Sequence, residues 1–477
     1  MLLIVLILMP LLASAVVLML GSNSLRPWIV AGTGVVHFVL TITILAIGVP
    51  PQCDGWIALD PPGKLTLLLI STLFLLCSFY SIGYLRLRSE LSNRILVACL
   101  LAFLAGATLV TCSQQLGLMW IAVEATALST APMIYFNRTR LSIEATWKYL
   151  LISSVGIAIA LMGSFFMAYA ALQQSAEPSL VFTQLVEHAA GFNILWLKMA
   201  FVLLLVGYGT KMGLAPMHTW KPDAYGEAPG VVGALLAGGL TSYAFLALLR
   251  IDRVCQAAGI GGYTGRVLIG IGLFSMAVAA VFMLGQKDIK RMLAYSSVEQ
   301  MGILALGAGI GGPALYGALL QMINNGLTKG MLFLSAGNIH RSFGSKNTDD
   351  VHGAMHQLPL SGTIFMLGFL AITGSPPFGP FVSEFTILHG SIHAGWFLVA
   401  GLFLAMLLLV FIGMGRTVLS ISQGQTSPNR NTAVWRELIW TRWPLIVLLL
   451  LVLMLGVHIP EELSRMLRQA TVFMGVR

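Results

Sequence analysis

The stretch Met199-Ala-Phe-Val-Leu-Leu-Leu-Val-Gly-Tyr-Gly-Thr-Lys211-Met-Gly-Leu-Ala-Pro216-Met-His218 decides how this chain folds. It reads as a membrane segment, an apolar run of the length that crosses a bilayer, and Lys211 is its only formal charge. An ammonium group at bilayer depth costs roughly 2.5–3.5 kcal/mol on insertion scales, so chains rarely keep one without a use. Pro216, a little over a turn later, is expected to break the helix and free backbone carbonyls to face water or another charge. A buried amine beside a broken helix is what an ion-transfer pathway needs.

Outward from that stretch, the rest of the chain is of the same kind. Its 477 residues are 57% hydrophobic and 9% charged, with a mean hydropathy of +0.87, whereas a soluble domain is roughly 25% charged. The class is therefore an all-α polytopic membrane protein. Apolar runs predict about fourteen spans, near 2–20, 27–49, 64–85, 95–112, 116–136, 147–172, 196–218, 230–251, 265–285, 292–310, 313–338, 359–388, 395–420 and 441–459. No basic region precedes the first run, so 2–20 is expected to be a retained span rather than a cleaved signal. Pro216 interrupts span seven and Pro376-Pro377 span twelve. Interrupted spans in matching positions point to inverted repeats around a shared midplane site. The expected organisation is residues 1–94 (spans 1–3), 95–251 (first repeat, spans 4–8), 252–422 (second repeat, spans 9–13) and 423–477 (a loop and span 14).

Basic residues orient the chain. With both termini outside, the inner loops hold seventeen: Arg26, Arg86, Arg88, Arg94, Arg138, Arg140, Lys148, Lys221, Lys287, Lys290, Arg291, Arg341, Lys346, Arg416, Arg430, Arg436 and Arg442. Eight lie outside: Lys64, Lys198, Arg250, Arg253, Arg266, Arg465, Arg468 and Arg477. The positive-inside rule favours this arrangement; in a bacterium it means the inner membrane with periplasmic termini. The net charge of +9 follows from the inner loops and calls for no nucleic-acid partner.

Four ionisable residues fall within spans: Glu124, Lys211, Lys329 and Glu384. Groups at such depth can accept and release protons when an opposite charge moves nearby. The plainer alternative is that Glu124 and Lys211 form a static ion pair that fixes helix packing. Polar residues connect the charges. His218 follows the break in span seven, Tyr208 and Thr210 flank Lys211, and Asn324, Asn325 and Thr328 precede Lys329. Lys148, at the expected start of span six, either joins the relay or snorkels to the interface. His37 reads as an interhelical hydrogen-bonder.

Other motifs lead nowhere. Gly307-Ala-Gly309-Ile-Gly-Gly312 matches a dinucleotide fingerprint but follows no strand, and Asn137-Arg-Thr139 falls on the inner side. His340, His352 and His356 are expected in a solvated loop rather than a metal site. Cys53, Cys77, Cys99, Cys112 and Cys255 lack the spacing of a cluster or haem motif, so no cofactor is expected on this chain.

The residues resemble a known family. Gly209-Thr-Lys211-Met-Gly-Leu-Ala-Pro216-Met-His218-Thr-Trp-Lys-Pro-Asp223-Ala-Tyr-Gly-Glu227-Ala-Pro229 is similar to the span-seven signature of antiporter-like subunits. These are the proton-pumping membrane subunits of respiratory complex I, Mrp-type cation/proton antiporters and group 4 nickel–iron hydrogenases. Trp120-Ile-Ala-Val-Glu124, Asp288-Ile-Lys-Arg-Met-Leu-Ala-Tyr-Ser-Ser297, Leu327-Thr-Lys329 and Ser375-Pro-Pro-Phe-Gly-Pro-Phe-Val-Ser-Glu384-Phe extend the likeness over about residues 60–420. Trp147-Lys148-Tyr149-Leu150 and Thr219-Trp220-Lys-Pro-Asp223 resemble the F-type component of hydrogenase-4 or formate hydrogenlyase.

The resemblance implies two inverted five-helix repeats with helices seven and twelve broken. It also implies a proton path in which Glu124 modulates Lys211, Lys329 links the halves and Glu384 ends the route. It implies partner membrane-arm subunits, a peripheral redox arm that carries the cofactors, and protons as the moved ion. The competing expectation is an Mrp-type subunit exchanging sodium for protons. Three positions depart from the family pattern: Ser242 stands where many relatives have a span-eight lysine, and Asn325 and Tyr225 replace frequent histidines.

Overall fold

A computed structural model describes residues 1–172, 179–424 and 437–475; Arg430, Arg436 and Arg477, assigned above to loops and a terminus, lie outside the described residues. The regular elements among these residues are helices. The first six are α1 (Leu2–Met19), α2 (Arg26–Ile47), α3 (Pro61–Arg86), α4 (Arg94–Cys112), α5 (Leu116–Ile134) and α6 (Arg140–Leu172). A short α7 (Phe182–His188) leads to α8 (Ile194–Met212) and α9 (Trp220–Glu227). Next come α10 (Gly230–Leu235), a π-helical turn over Leu236–Leu240 and α11 (Thr241–Ala257). The second half holds α12 (Gly261–Met283), α13 (Ile289–Ile310), α14 (Gly312–Phe343), α15 (Ala354–Gln357), α16 (Pro359–Ile372), α17 (Gly379–His393) and α18 (Phe397–Ser422). The chain closes with α19 (Ile439–Val457) and α20 (Glu461–Phe473).

Among the described residues, eleven helical stretches are long and apolar enough to cross a membrane. The other three expected spans coincide with α13, α14 and the α16–α17 pair. Buried polar residues dilute the apolar character of α13 and α14, and a break divides the last into two halves. The bundle turns apolar side chains outward, as lipid requires: Leu151, Val155 and Phe165 of α6 are 63%, 61% and 64% exposed. Its interior is built around α14, which packs against α3, α10, α13, α16, α17 and α19.

Several boundaries differ from the sequence expectations. Span six begins earlier, at Arg140, so Lys148 lies two turns inside α6 rather than at its start. Of the three histidines expected in a loop, His340 belongs to α14 and His356 to the short α15. Span seven ends at Met212, before the proline, because Gly213 at φ +80° closes the helix. Its amide and that of Leu214 both donate to the Gly209 carbonyl, at 2.7 and 2.9 Å. The Thr210 carbonyl accepts from Trp220 Nε1 at 2.8 Å. These helix-end carbonyls, expected to be free, are thus held within the protein. Several cations assigned to loops are buried as well, among them Arg250 in α11 and Lys221 in α9, 2% and 0% exposed. His37 bridges α2 to Ser71 of α3 and Thr108 of α4, each at 2.9 Å.

Candidate functional site

Lys211 occupies the last turn of α8 and is 1% exposed. Its amine donates to two hydroxyls of α6, Tyr149 Oη at 3.2 Å and Ser153 Oγ. Glu124 of α5 is half-buried and accepts from Ser154 Oγ at 3.2 Å. Consecutive residues of α6, set about 100° apart around the helix, thus serve the lysine and the carboxylate separately. Among the described residues Glu124 and Lys211 are not bonded to each other, so they act on one another across α6 rather than as a contact pair. Glu124 Oε2 is buried without a protein hydrogen-bond partner.

Beyond the break, α9 packs between α6 and α13 and carries Lys221. Its amine donates to Ser297 Oγ of α13 at 3.1 Å and lies 5.8 Å from the Tyr225 ring. A Cβ on Gly213 would fall 2.1 Å from its Cε and 2.7 Å from its Nζ. The glycine that ends α8 therefore also makes room for Lys221. Lys221 is expected in the inner loop between spans seven and eight; the adjoining Trp220 is the sequence signal that the segment is buried.

The second half repeats the arrangement of a charge beside a break. Lys329 of α14 is fully buried and donates to the Leu293 carbonyl of α13 at 3.1 Å. Glu299 of α13 is 1% exposed, within electrostatic reach of Lys329, and neither of its oxygens makes a well-formed hydrogen bond. Glu299 is not among the four expected intramembrane charges, although a lone carboxylate in 292–310 carries the same signal as Lys211. Asn325, one turn before Lys329, has both side-chain polar atoms buried and unpartnered.

Glu384 of α17 follows the second break. Its Oε1 accepts from Gln321 Nε2 at 3.1 Å and Gln300 Nε2 at 3.5 Å. Gln321 also donates to Gln300 Oε1, and Ser383 Oγ donates to Gln321 Oε1. Asn324 Nδ2 donates to Ser383 Oγ at 3.1 Å. A Cβ on Gly374 (φ +69°) would lie 2.2 Å from Glu384 Oε2, so each break sets a left-handed glycine against a buried ionisable side chain.

The remaining expected residues lie apart from this row. The Ser242 hydroxyl donates to the Gly238 carbonyl of the π-helical turn. His218 is 8% exposed, its ring 6.2 Å from that of Tyr295, and its Nδ1 has no partner. Lys148, with 46% of its side chain exposed, pairs with Glu144 at 2.7 Å and Asp223 at 2.9 Å. It joins a charged cavity of about 330 Å3 lined by Asp223, Glu227, Asp288, Arg291 and Lys346. There, burial disfavours the Lys346 ammonium, yet Asp288 (3.1 Å) and Glu227 (2.6 Å) raise its pKa above the ordinary lysine value.

Two broken helices, one carrying a buried lysine and the other a buried glutamate, invite comparison with known membrane subunits. Residues 113–409 match the family model described as NADH:quinone oxidoreductase/Mrp antiporter, transmembrane. The chain belongs to this family. It is 35% identical over 383 residues to a hydrogenase-4 component F homolog of Methylacidiphilum infernorum, covering 78% of each chain. It is 31% identical over 365 residues to NADH-quinone oxidoreductase subunit N of Desulforudis audaxviator, covering 76% of this chain and 72% of the relative. In fold it matches a chain of the Mrp complex of Dietzia sp. DQ12-45-1b at a TM-score of 0.87 and 19% identity, over 99% of this chain and 97% of the other. A chain of respiratory complex I from Thermus thermophilus matches at 0.77 and 24%, over 96% and 97%. The family's antiporter-like fold thus houses the row from Glu124 to Glu384.

Proposed function

We propose that this chain is the proton-translocating membrane-arm subunit of a redox-driven complex of the group 4 hydrogenase or NADH:quinone oxidoreductase type. The observation that carries the reading is the row of buried ionisable and amide groups from Lys211 at one helix break to Glu384 at the other. Buried polar atoms without protein partners, on Glu124, Asn324, Asn325 and Glu299, follow the same row. Such atoms are costly to bury unless water completes their bonding, so they favour a hydrated path. Charge movement in the partner subunits perturbs Glu124. Across Ser153 and Ser154 that change reaches Lys211, which then releases its proton toward Glu384.

In this reading the chain has fourteen spans, with inverted repeats over 95–251 and 252–422. The spans lie in a bacterial inner membrane with both termini in the periplasm. Redox cofactors reside on partner subunits, since this chain supplies buried lysines, carboxylates and amides rather than thiolate or haem ligands.

The test is proton uptake by everted membrane vesicles energised with hydrogen or NADH and followed by acridine-dye quenching. Lys211→Ala is expected to abolish the quench; full quenching by the assembled variant complex would overturn the proposal. A second reading, an Mrp-type sodium/proton antiporter subunit, draws on the fold match to an Mrp chain. Sodium-dependent proton exchange by the purified chain in liposomes, without redox substrate, would favour it.

A further inference from the structure

Ser242 of α11 has its hydroxyl bonded back to the Gly238 carbonyl of its own helix. The interval between Lys211 and the second half nevertheless contains an amine. Lys221 is 0% exposed, and its Nζ is held by a hydroxyl rather than by a carboxylate. It packs onto the Gly213 backbone, two residues from Lys211, while its neighbour Trp220 is bonded to the Thr210 carbonyl.

Its anchor Ser297 shares one face of α13 with Leu293 and Gln300, at helical spacings of four and three residues. The Leu293 carbonyl holds the Lys329 amine, and Gln300 reaches Glu384. One face of α13 therefore carries the contacts of Lys221 and Lys329 within one turn of each other, and that of Glu384 beyond them. Lys221 is also within electrostatic reach of Lys329.

We propose that Lys221 is the middle proton carrier of this protein. The role rests on the translocation reading above. The neutral Lys221 amine takes a proton from the Lys211 ammonium through an intervening hydroxyl or water, leaving Lys211 neutral. It then passes that proton to the neutral Lys329 amine and returns to its own neutral form. From Lys329 the proton moves over the amides of α13 and α14 to the Glu384 carboxylate. Only N–H and O–H bonds form and break. Lysine suits the step because it can surrender its proton inside a protein, which arginine cannot.

The test uses the assembled complex in everted vesicles, with electron transfer and acridine quenching measured on the same sample. Lys221→Met is expected to keep electron transfer and lose the quench to the uncoupler baseline. Lys221→Arg keeps charge and length and, in case the methionine variant fails to assemble, decides alone. It too is expected to lose the quench. Wild-type quenching by either assembled variant, while Lys211→Ala abolishes it, would overturn the carrier role and leave the translocation reading standing. If Lys211→Ala also pumps, the translocation reading itself fails.

Discussion

At the scale of single residues, the chemistry depends on groups that hold ionisable side chains without neutralising them. Tyr149 and Ser153 give Lys211 hydrogen bonds but no counter-charge; Gln300 and Gln321 do the same for Glu384. A carboxylate in direct contact would trap the lysine as ammonium, whereas hydroxyls and amides can bond either form. Gly374 is the tightest constraint on this arrangement. Its φ of +69° costs an L-residue roughly 1–2 kcal/mol, and an added methyl would fall onto the Glu384 carboxylate. Gly374→Ala is therefore expected to lower the thermal midpoint of the detergent-solubilised protein and to suppress proton uptake. A midpoint and an uptake rate equal to the parent's would show that Glu384 does not depend on this approach.

Elements place these residues through two interrupted helices and one continuous helix. The breaks after α8 and α16 let α9 and α17 turn their polar residues inward, and α13 runs past both. The α8–α9 angle is held by the Trp220 indole, which donates to the Thr210 carbonyl and packs 5.1 Å from the Tyr149 ring. Trp220→Phe keeps an aromatic ring but removes the donor, leaving a buried carbonyl with one partner fewer. A cost of about 1–3 kcal/mol is expected, read as a lower unfolding midpoint with electron transfer by the complex retained. An unchanged midpoint would mean that α9 is positioned by packing alone.

For the whole molecule, stability draws on a buried cluster at the opposite end of the bundle from the charged cavity beside α9. Arg250 of α11 donates to Asp60 through Nε at 2.9 Å and Nη2 at 2.8 Å. It also donates to the Val110, Thr111 and Ser113 carbonyls at the end of α4. Asp60 in turn caps α3 through the Gly63 amide. One guanidinium thereby joins three helices, with each donor matched by an oxygen. Arg250→Ala leaves the carboxylate buried and unpaired, at a cost of roughly 3–5 kcal/mol. The expected result is a sharply lower melting temperature and little assembled complex. Arg250→Ala with parental stability would show that water replaces the guanidinium freely.

The membrane class, the two broken helices and the charges Lys211, Lys329, Glu124 and Glu384 were all legible in the sequence. Each depends on a local property: hydrophobic length, a proline within an apolar run, or a charge where none is tolerated cheaply. Which groups meet was decided by tertiary structure alone. Lys221 beside Pro222 reads as a loop cation, and Arg250 near the end of α11 as a surface one, because desolvation depends on neighbours distant in the chain. Those neighbours, Ser297 for Lys221 and Asp60 with α4 for Arg250, are set by helix packing that no local pattern encodes. The separation of Glu124 from Lys211 by two serines of α6 has the same origin, since distance between helices is a property of their packing. Apolar length sets where helices cross, and only their packing sets which buried charges can exchange a proton.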